Sequence, residues 1–416
     1  MKLMKLHIVM IFWLVLCEAA FAQTVKFVGK RLQINNQPFL VKGVNESLFP
    51  INTFPSQYGI CYYDTLQKRP LCPWFNGQTQ KPYFSIYDID PFVNTELGLT
   101  AGLKANTYRT FGEVILQPSP LLQRANQYGV KVIAGYWVDY GTDFTFPLPN
   151  GPSQRQKLIN DFVNYINRLK TDPNYSAVLL IGLSNEMNLH WCEWVTTAQV
   201  CAPCDPNQQA AGFYDLANEM ARSAKAGDPD PRPMIIVSAD LGDIGDAARH
   251  GDDAHLPDID GWGVNAYKGS SFYTLFTNYA GLSQKPMLIT EFGGDAWDRN
   301  PRPNFLTGGP DEVTQESWVE SLWNEIKAEY QNANGVAAGG IYFQLADNWW
   351  QGPGDVWNIG VTQHNPGGWD NSGFPDGKAD VEFLGLFDRQ PGPILFLDTY
   401  VPRKAALKIY SKFSLP

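Results

Sequence analysis

An apolar run that ends in three polar side chains occupies residues 178–186 of this 416-residue chain, VLLIGLSNE. A second run of the same kind, PMLITE, covers residues 286–291 and ends in Glu291. Short apolar runs rich in β-branched residues are typical of buried strands, and amphipathic stretches such as 154–170 and 210–226 lie between them. Strands that alternate with helices in this way predict parallel strands joined by crossover helices.

Eight apolar runs follow one another along the chain, and eight strand–helix repeats predict an α/β fold, the (β/α)8 TIM barrel. We expect a single catalytic domain over residues 23–416 with loop insertions, since the fold usually needs only about 250 residues. The surplus lies in 46–83 and beyond the eighth run, where residues 402–412 should form the last helix. The predicted strands are residues 39–45, 105–110, 130–135, 177–185, 234–239, 261–267, 286–291 and 339–344.

The composition is aromatic and acidic, with 13 Trp, 19 Tyr and 24 Phe and a formal net charge of −10. An acidic chain should not bind nucleic acid or anionic membranes by charge. Aromatic side chains that stack on uncharged ligands suit this composition, and sugars are the commonest such ligand. We therefore expect a carbohydrate partner, no nucleic acid, no membrane insertion and a monomer.

The first 22 residues have the pattern of a secretory signal peptide. Lys2 and Lys5 precede an apolar run at 8–17, and a small-residue cleavage site, Ala20-Phe21-Ala22, follows. The run is too short to span a bilayer. We expect a secreted protein, extracellular or periplasmic, after removal of residues 1–22.

Five cysteines follow the predicted cleavage site, and an oxidising compartment favours disulfides between them. Cys61 with Cys72 would close one loop, and Cys192 with either Cys201 or Cys204 would close another. Cys201-Ala-Pro-Cys204 could instead be a metal or redox pair, but a lone C-x-x-C lacks the second pair that a tetrahedral metal site needs.

Polar and aromatic side chains collect at the predicted carboxyl ends of the strands, where the βα loops of such barrels carry the chemistry. Glu186 and Glu291 are 291 − 186 = 105 residues apart, or three βα units, which predicts strands four and seven. Two carboxylates facing each other across a cleft are the machinery of glycoside hydrolysis. The other candidates at this rim are Arg109, Trp137, Asn185, Asn265, Tyr267, Trp349 and Trp350.

Five stretches in order along the chain resemble clan A of the glycoside hydrolases, the retaining (β/α)8 enzymes: FLVKGVN, ANTYRTFG, IGLSNEMN, GWGVNAYKG and LITEFGG. Within the clan the chain is most similar to the β-1,3-glucanosyltransferases and to the family 2 and family 5 β-glycosidases. The resemblance implies that Glu186 is the general acid/base and Glu291 the nucleophile.

The resemblance also implies roles for the neighbours of the two glutamates. Asn185 would bind the sugar 2-OH, Tyr267 would hydrogen-bond Glu291, and Trp349 or Trp350 would lie under the sugar. Arg109 should hold Glu291 ionised, and an ionised Glu291 should keep Glu186 protonated. Asn265 and Trp137 are the remaining candidates for substrate binding.

These observations predict a retaining β-glycoside hydrolase that acts on a β-linked polysaccharide or oligosaccharide, with β-glucan favoured. A β-glucan transglycosylase with the same two glutamates is the alternative, and a non-catalytic carbohydrate-binding or adhesion protein on a barrel scaffold is a third. The sequence contains no H-E-x-x-H, G-x-S-x-G or phosphate-binding loop, so zinc, serine-hydrolase and phosphoryl chemistry are disfavoured.

Because no cofactor or metal is expected, exhaustive treatment with a chelator should leave activity unchanged. The measurement is the hydrolysis rate before and after chelation. Activity that is lost on chelation and returns only with added metal would contradict the metal-free mechanism.

Overall fold

The structure is a computed structural model of the chain. It describes residues 23–47, 50–51, 86–147, 149–193, 204–349, 351, 366–394 and 397–415, with the backbone of three further strands between 53 and 71.

Eight parallel strands close into a barrel, as the sequence predicts. Each strand pairs in parallel with its neighbours in the chain, and the eighth pairs with the first to close the ring. The strands are β1 (Val41–Asn45), β2 (Thr107–Arg109), β3 (Lys131–Tyr136), β4 (Val178–Leu183), β5 (Met234–Ala239), β6 (Gly261–Asn265), β7 (Met287–Phe292) and β8 (Ala337–Tyr342).

All eight predicted strands are confirmed in type and order, but their ends differ. The run 177–185 is too long, because β4 stops before Ser184 and Glu186, whose φ angles of 56° and 50° are incompatible with extended pairing. The run 339–344 starts too late. Ala337 and Ala338 have low strand propensity, yet both are fully buried in the barrel wall.

α-Helices connect the strands and cover the outside of the barrel, except between β5 and β6, where the sequence predicts a helix and the connection contains only a 3-10 turn at Ala247–Arg249. Capping residues set their starts. Ser119 accepts a hydrogen bond from the backbone N–H of Leu122, and Asp205 does the same for Asn207. The predicted helical stretch 154–170 lies within a helix, and 210–226 does so up to its last residue, Ala226, which is the helix C-cap. The stretch 402–412 begins two residues too early, because Pro402 ends a strand and Arg403 is the N-cap of the helix that starts at Lys404. The helices are α1 (Asp90–Gly102), α2 (Pro120–Tyr128), α3 (Gly151–Thr171), α4 (Pro206–Lys225), α5 (Leu275–Leu282), α6 (Glu312–Gln331) and α7 (Lys404–Phe413).

The amino-terminal mouth of the barrel is closed by a small antiparallel sheet, Val25–Val28, Arg31–Ile34 and Gln37–Pro38. Its Val25 and Leu32 are buried in one cluster with side chains of the strands, among them Val41, Ile133, Leu179, Ile235, Leu288 and Ile341. This end is filled with apolar side chains, so polar chemistry is confined to the opposite, carboxyl end.

The chain beyond β8 packs back onto the barrel. A hairpin of Phe387–Ile394 and Leu397–Pro402 carries Arg389, which is fully buried and lies 3.4 Å from the carboxylate of Glu96 on α1. Two short antiparallel strand pairs also occur: Trp297–Asp298 pairs with Gly309–Pro310, and Gly368–Asp370 pairs with Lys378–Asp380. A separate three-stranded antiparallel sheet consists of Thr53–Ser56, Gly59–Asp64 and Arg69–Leu71. Single 3-10 turns occur at Ile86–Asp88, Tyr175–Ala177, Met187–Leu189, Ala247–Arg249 and Val381–Phe383.

A disulfide joins Cys192 to Cys204, with the two Cα atoms 5.8 Å apart. Of the two partners that the sequence left open for Cys192, the structure selects Cys204. The predicted Cys61–Cys72 pair lies outside the residues whose side chains are described. Among the described residues no helix is long and apolar enough to cross a membrane.

The double substitution of Cys192→Ser and Cys204→Ser should lower the free energy of unfolding by about 3 kcal/mol, the chain-entropy value for a loop of this length. Urea unfolding of the unmodified protein and of the double variant, both under oxidising conditions, measures the difference in the free energy of unfolding. The single variant Cys192→Ser, which also breaks the disulfide, should match the double variant. Unchanged unfolding midpoints would show that the disulfide does not stabilise the fold.

Candidate active site

Polar side chains from several strands meet at the carboxyl end of the barrel. Asn45, Arg109 and Asn265 are the last residues of β1, β2 and β6, and Glu291 is the second-last residue of β7. Parallel strands end on the same side of a closed barrel, so these side chains are brought together although they are far apart in sequence.

Both carboxylate oxygens of Glu291 accept hydrogen bonds at this rim. Its Oε1 accepts a hydrogen bond from Arg109 Nη1 at 2.9 Å, and its Oε2 accepts one from the Tyr267 hydroxyl at 2.9 Å. The side chain is buried, with 5% of its surface exposed. The carboxylate is therefore fixed in orientation by two donors.

Arg109 connects Glu291 to Asn45 at the end of β1 and to Asn185 just after β4. Its Nη1 also donates to Asn45 Oδ1 at 3.0 Å, and its Nη2 donates to Asn185 Oδ1 at 2.8 Å. The guanidinium lies over the Phe111 ring, 4.4 Å from the ring centre, a cation–π contact. A buried cation with this many partners has one orientation available.

Glu186 follows β4 and is connected to Arg109 through two amides. Asn265 Nδ2 donates to Glu186 Oε1 at 2.9 Å and to Asn185 Oδ1 at 3.2 Å. Thr290, the neighbour of Glu291, donates its hydroxyl to Asn265 Oδ1 at 2.8 Å and so determines which side of the amide faces Glu186. A continuous hydrogen-bonded path thus joins the two glutamates.

The pKa of Glu291 is raised from its ordinary value, because burial penalises the charged form more than its donors favour it. Arg109, Tyr267 and Asn265 each oppose that effect and lower the pKa. Arg109 therefore acts in the direction that the sequence predicts, but desolvation outweighs it. The Glu291 carboxylate is therefore both fixed in position and only lightly solvated.

Two aromatic rings contact Tyr267, and sequence reasoning did not single them out. Phe343 approaches it edge-on at 6.3 Å between ring centres, and the Trp369 ring lies 5.3 Å from it. The Phe111 ring packs edge-on against Phe343 at 6.2 Å. Trp369 belongs to the segment after the barrel, where Asn371 Nδ2 donates to the Tyr267 carbonyl at 3.0 Å. Phe343 follows β8 directly, a position that could have been read from the strand pattern.

The tryptophans predicted at this rim are in different environments. Trp137 follows β3 and is 41% exposed, with its ring 4.9 Å from that of Tyr140. Trp349 is buried and packs against Ile51. Trp350 lies outside the described residues. The ring that contacts Tyr267 from the β8 end is that of Phe343.

No group of three or more His, Cys, Asp or Glu side chains that could hold a metal ion occurs in the described part of the chain. The prediction of a metal-free mechanism still depends on the chelator experiment.

Similar structures are barrel glycosidases. The family 2 β-galacturonidase of Eisenbergiella tayi bound to galacturonate matches 95% of this chain at 16% identity and a TM-score of 0.52. The β-glucuronidases of Parabacteroides merdae and Ruminococcus gnavus match 94% each, at 14% and 15% identity and TM-scores of 0.52 and 0.50.

The chain shares the barrel fold of these enzymes. It spans 54%, 39% and 52% of their respective lengths, so they are larger proteins. No protein-family model and no curated protein matches the sequence.

Removing the Tyr267 hydroxyl should raise the pKa of Glu291, since that hydrogen bond favours the charged form. In Tyr267→Phe the acid limb of kcat/KM should move to higher pH by about one unit, the equivalent of roughly 1.5 kcal/mol for a hydrogen bond to a charged group. Tyr342→Phe is the matched control, because its hydroxyl donates to the Gly294 carbonyl and does not contact Glu291. An acid limb that stays in place in Tyr267→Phe would show that this bond does not tune Glu291.

Proposed function

We propose that the protein is a retaining β-glycosidase of clan A, acting on a β-linked oligosaccharide or polysaccharide, with β-glucan favoured, and secreted after removal of residues 1–22. The observation that carries the proposal is the hydrogen-bonded path that joins Glu186, just after β4, to Glu291 on β7 through Arg109, Asn185 and Asn265. Two carboxyls with different surroundings on opposite strands suit acid and nucleophile roles.

In the first step Glu186 gives its proton to the oxygen of the leaving group, and the carboxylate of Glu291 attacks the anomeric carbon. The carbon–oxygen bond to the leaving group breaks and a glycosyl ester on Glu291 forms. Arg109 and Tyr267 would hold the attacking carboxylate in line, and its sparse solvation would increase its reactivity. Burial also keeps bulk water away from the nucleophile.

In the second step Glu186, now ionised, takes a proton from water as the water attacks the same carbon and releases Glu291. If a sugar hydroxyl arrives instead of water, the product is a longer glycan, and the protein is a transglycosylase. Asn185 suits the 2-OH contact because its Oδ1 is occupied by Arg109 and Asn265 while its Nδ2 makes no hydrogen bond within the described residues. A donor of this kind strengthens its bond as charge develops at the transition state.

A screen of candidate substrates would identify the substrate class directly. Aryl β-glycosides of glucose, mannose, galactose, glucuronic acid and galacturonic acid should be tested beside β-glucans, because the similar structures act on uronides. Product chain lengths separate hydrolysis from transfer. A protein that binds these glycans without turning any of them over would favour the non-catalytic alternative.

We expect Glu291→Ala to lose several orders of magnitude in rate on every substrate. Glu186→Ala should lose most on substrates with poor leaving groups and much less on activated aryl glycosides, because an aryl oxide of low pKa scarcely needs a proton. Azide should restore turnover to Glu186→Ala by forming a β-glycosyl azide. The matched control is Glu219→Ala, a carboxylate on α4 that pairs with Arg155 far from the rim.

Proton NMR during early turnover gives the configuration of the first product, and the proposal requires β. An α product would mean inversion. Equal losses on both substrate types in Glu186→Ala would mean that Glu186 is not the acid.

A further inference from the structure

The backbone around Glu186 adopts an unusual conformation. Ser184 and Glu186 have φ angles of 56° and 50°, in the left-handed region that residues with a side chain rarely occupy. The chain turns away from β4 within these residues and brings the Glu186 carboxyl within hydrogen-bonding distance of Asn265. Such a turn persists only where its surroundings hold it.

Three hydrogen bonds hold this turn, and two of them are ordinary barrel bonds. Ser184 N–H donates to the Tyr136 carbonyl at 2.8 Å, and Glu186 N–H donates to the Val237 carbonyl at 3.0 Å. The third comes from a side chain, since the Tyr140 hydroxyl donates to the Asn185 carbonyl at 2.7 Å. It fixes the peptide plane between Asn185 and Glu186, from which both side chains project.

Tyr140 is itself held by aromatic contacts. The His190 ring stacks on it at 3.7 Å between ring centres and 12° between planes, and the Trp137 ring lies 4.9 Å from it at a tilt of 54°. His190 Nδ1 lies 2.6 Å from Glu193 Oε2, and Cys192, two residues after His190, is joined by the disulfide to Cys204, just before α4. The loop after β4 is thereby clamped to the loop after β3 through this stack.

The Tyr140 hydroxyl remains a donor throughout the range in which the enzyme would work. Burial raises the pKa of Tyr140, and the nearby charge of Glu186 raises it further. Its proton is therefore available to the Asn185 carbonyl in both protonation states of Glu186.

We propose that Tyr140, stacked on His190, is a positioning residue that aligns Glu186 for proton transfer to the leaving group. It touches the peptide that carries Asn185 and Glu186, and it acts on the reaction through them. This inference rests on the proposed function, and the experiment separates the failure of one from the failure of the other.

The test is the dependence of kcat/KM on leaving-group pKa across a series of aryl β-glycosides. Tyr140→Phe removes only the hydroxyl. We expect a loss of about 10- to 100-fold on the poorest leaving groups, part of the 10²- to 10⁴-fold that general acid catalysis supplies, and less than about threefold on the most activated ones. A purely structural role would slow all members of the series by the same factor.

Tyr165→Phe is the matched control. Its hydroxyl also donates to a barrel carbonyl, that of Gly135 at 3.0 Å, but from α3 on the outside of the barrel. Tyr165→Phe should show the same loss of stability as Tyr140→Phe, if there is one, but the dependence of its kcat/KM on leaving-group pKa should be unchanged.

A pair of variants at His190 tests the stack. His190→Ala should reproduce the selective loss of Tyr140→Phe in weaker form, and His190→Phe should restore native behaviour because it keeps a ring against Tyr140. An equal loss of kcat/KM on poor leaving groups in His190→Ala and His190→Phe would show that stacking on Tyr140 has no role.

Glu186→Ala provides the reference. If it shows the steep leaving-group dependence and Tyr140→Phe does not, the inference is wrong and the proposed function stands. If Glu186→Ala itself shows none, the proposed function fails.

Discussion

The ion pair between Arg109 and Glu291 is the interaction around which this rim is organised. Both groups are almost completely withdrawn from water, and a charge in such a place is stable only if it is paired and its remaining hydrogen-bonding atoms are satisfied. Asn45, Asn185 and Tyr267 meet that requirement. The same residues thereby become fixed relative to the two glutamates.

This requirement explains why side chains of little individual reactivity occupy the strand ends. Thr290 is fully buried and orients Asn265, which donates a hydrogen bond to Glu186. Segments outside the barrel contribute in the same way. The chain beyond β8 brings Trp369 against Tyr267, and the loop after β3 brings Tyr140 against the Asn185 carbonyl. The reactive groups belong to the barrel, and their orientation depends on what surrounds it.

The sequence predicts the barrel well because each strand is a local apolar run and each strand end is a local change to polar residues. For that reason Glu186 and Glu291 can be assigned to the carboxyl ends of β4 and β7 without a structure. Strand ends are harder to predict, since Ser184 leaves the sheet through a backbone angle that its residue type does not reveal.

Contacts between loops cannot be predicted from local sequence patterns. Tyr140 reaches Asn185 across 45 residues, and Trp369 reaches Tyr267 across about 100, with no periodicity to indicate either contact. The disulfide partner of Cys192 was ambiguous for the same reason, because Cys201 and Cys204 are equally plausible by spacing. The net pKa shift of Glu291 also depends on burial, which a sequence does not quantify.

The most direct test of the account is to trap the intermediate on the nucleophile. A 2-deoxy-2-fluoro glycoside with an activated leaving group, built on whichever sugar the protein turns over, slows release of the intermediate more than its formation. Peptide mapping by mass spectrometry should then find the sugar attached to Glu291 and no label in Glu291→Gln. A label on another residue, or turnover to an inverted product with no label at all, would contradict the central role given to Glu291.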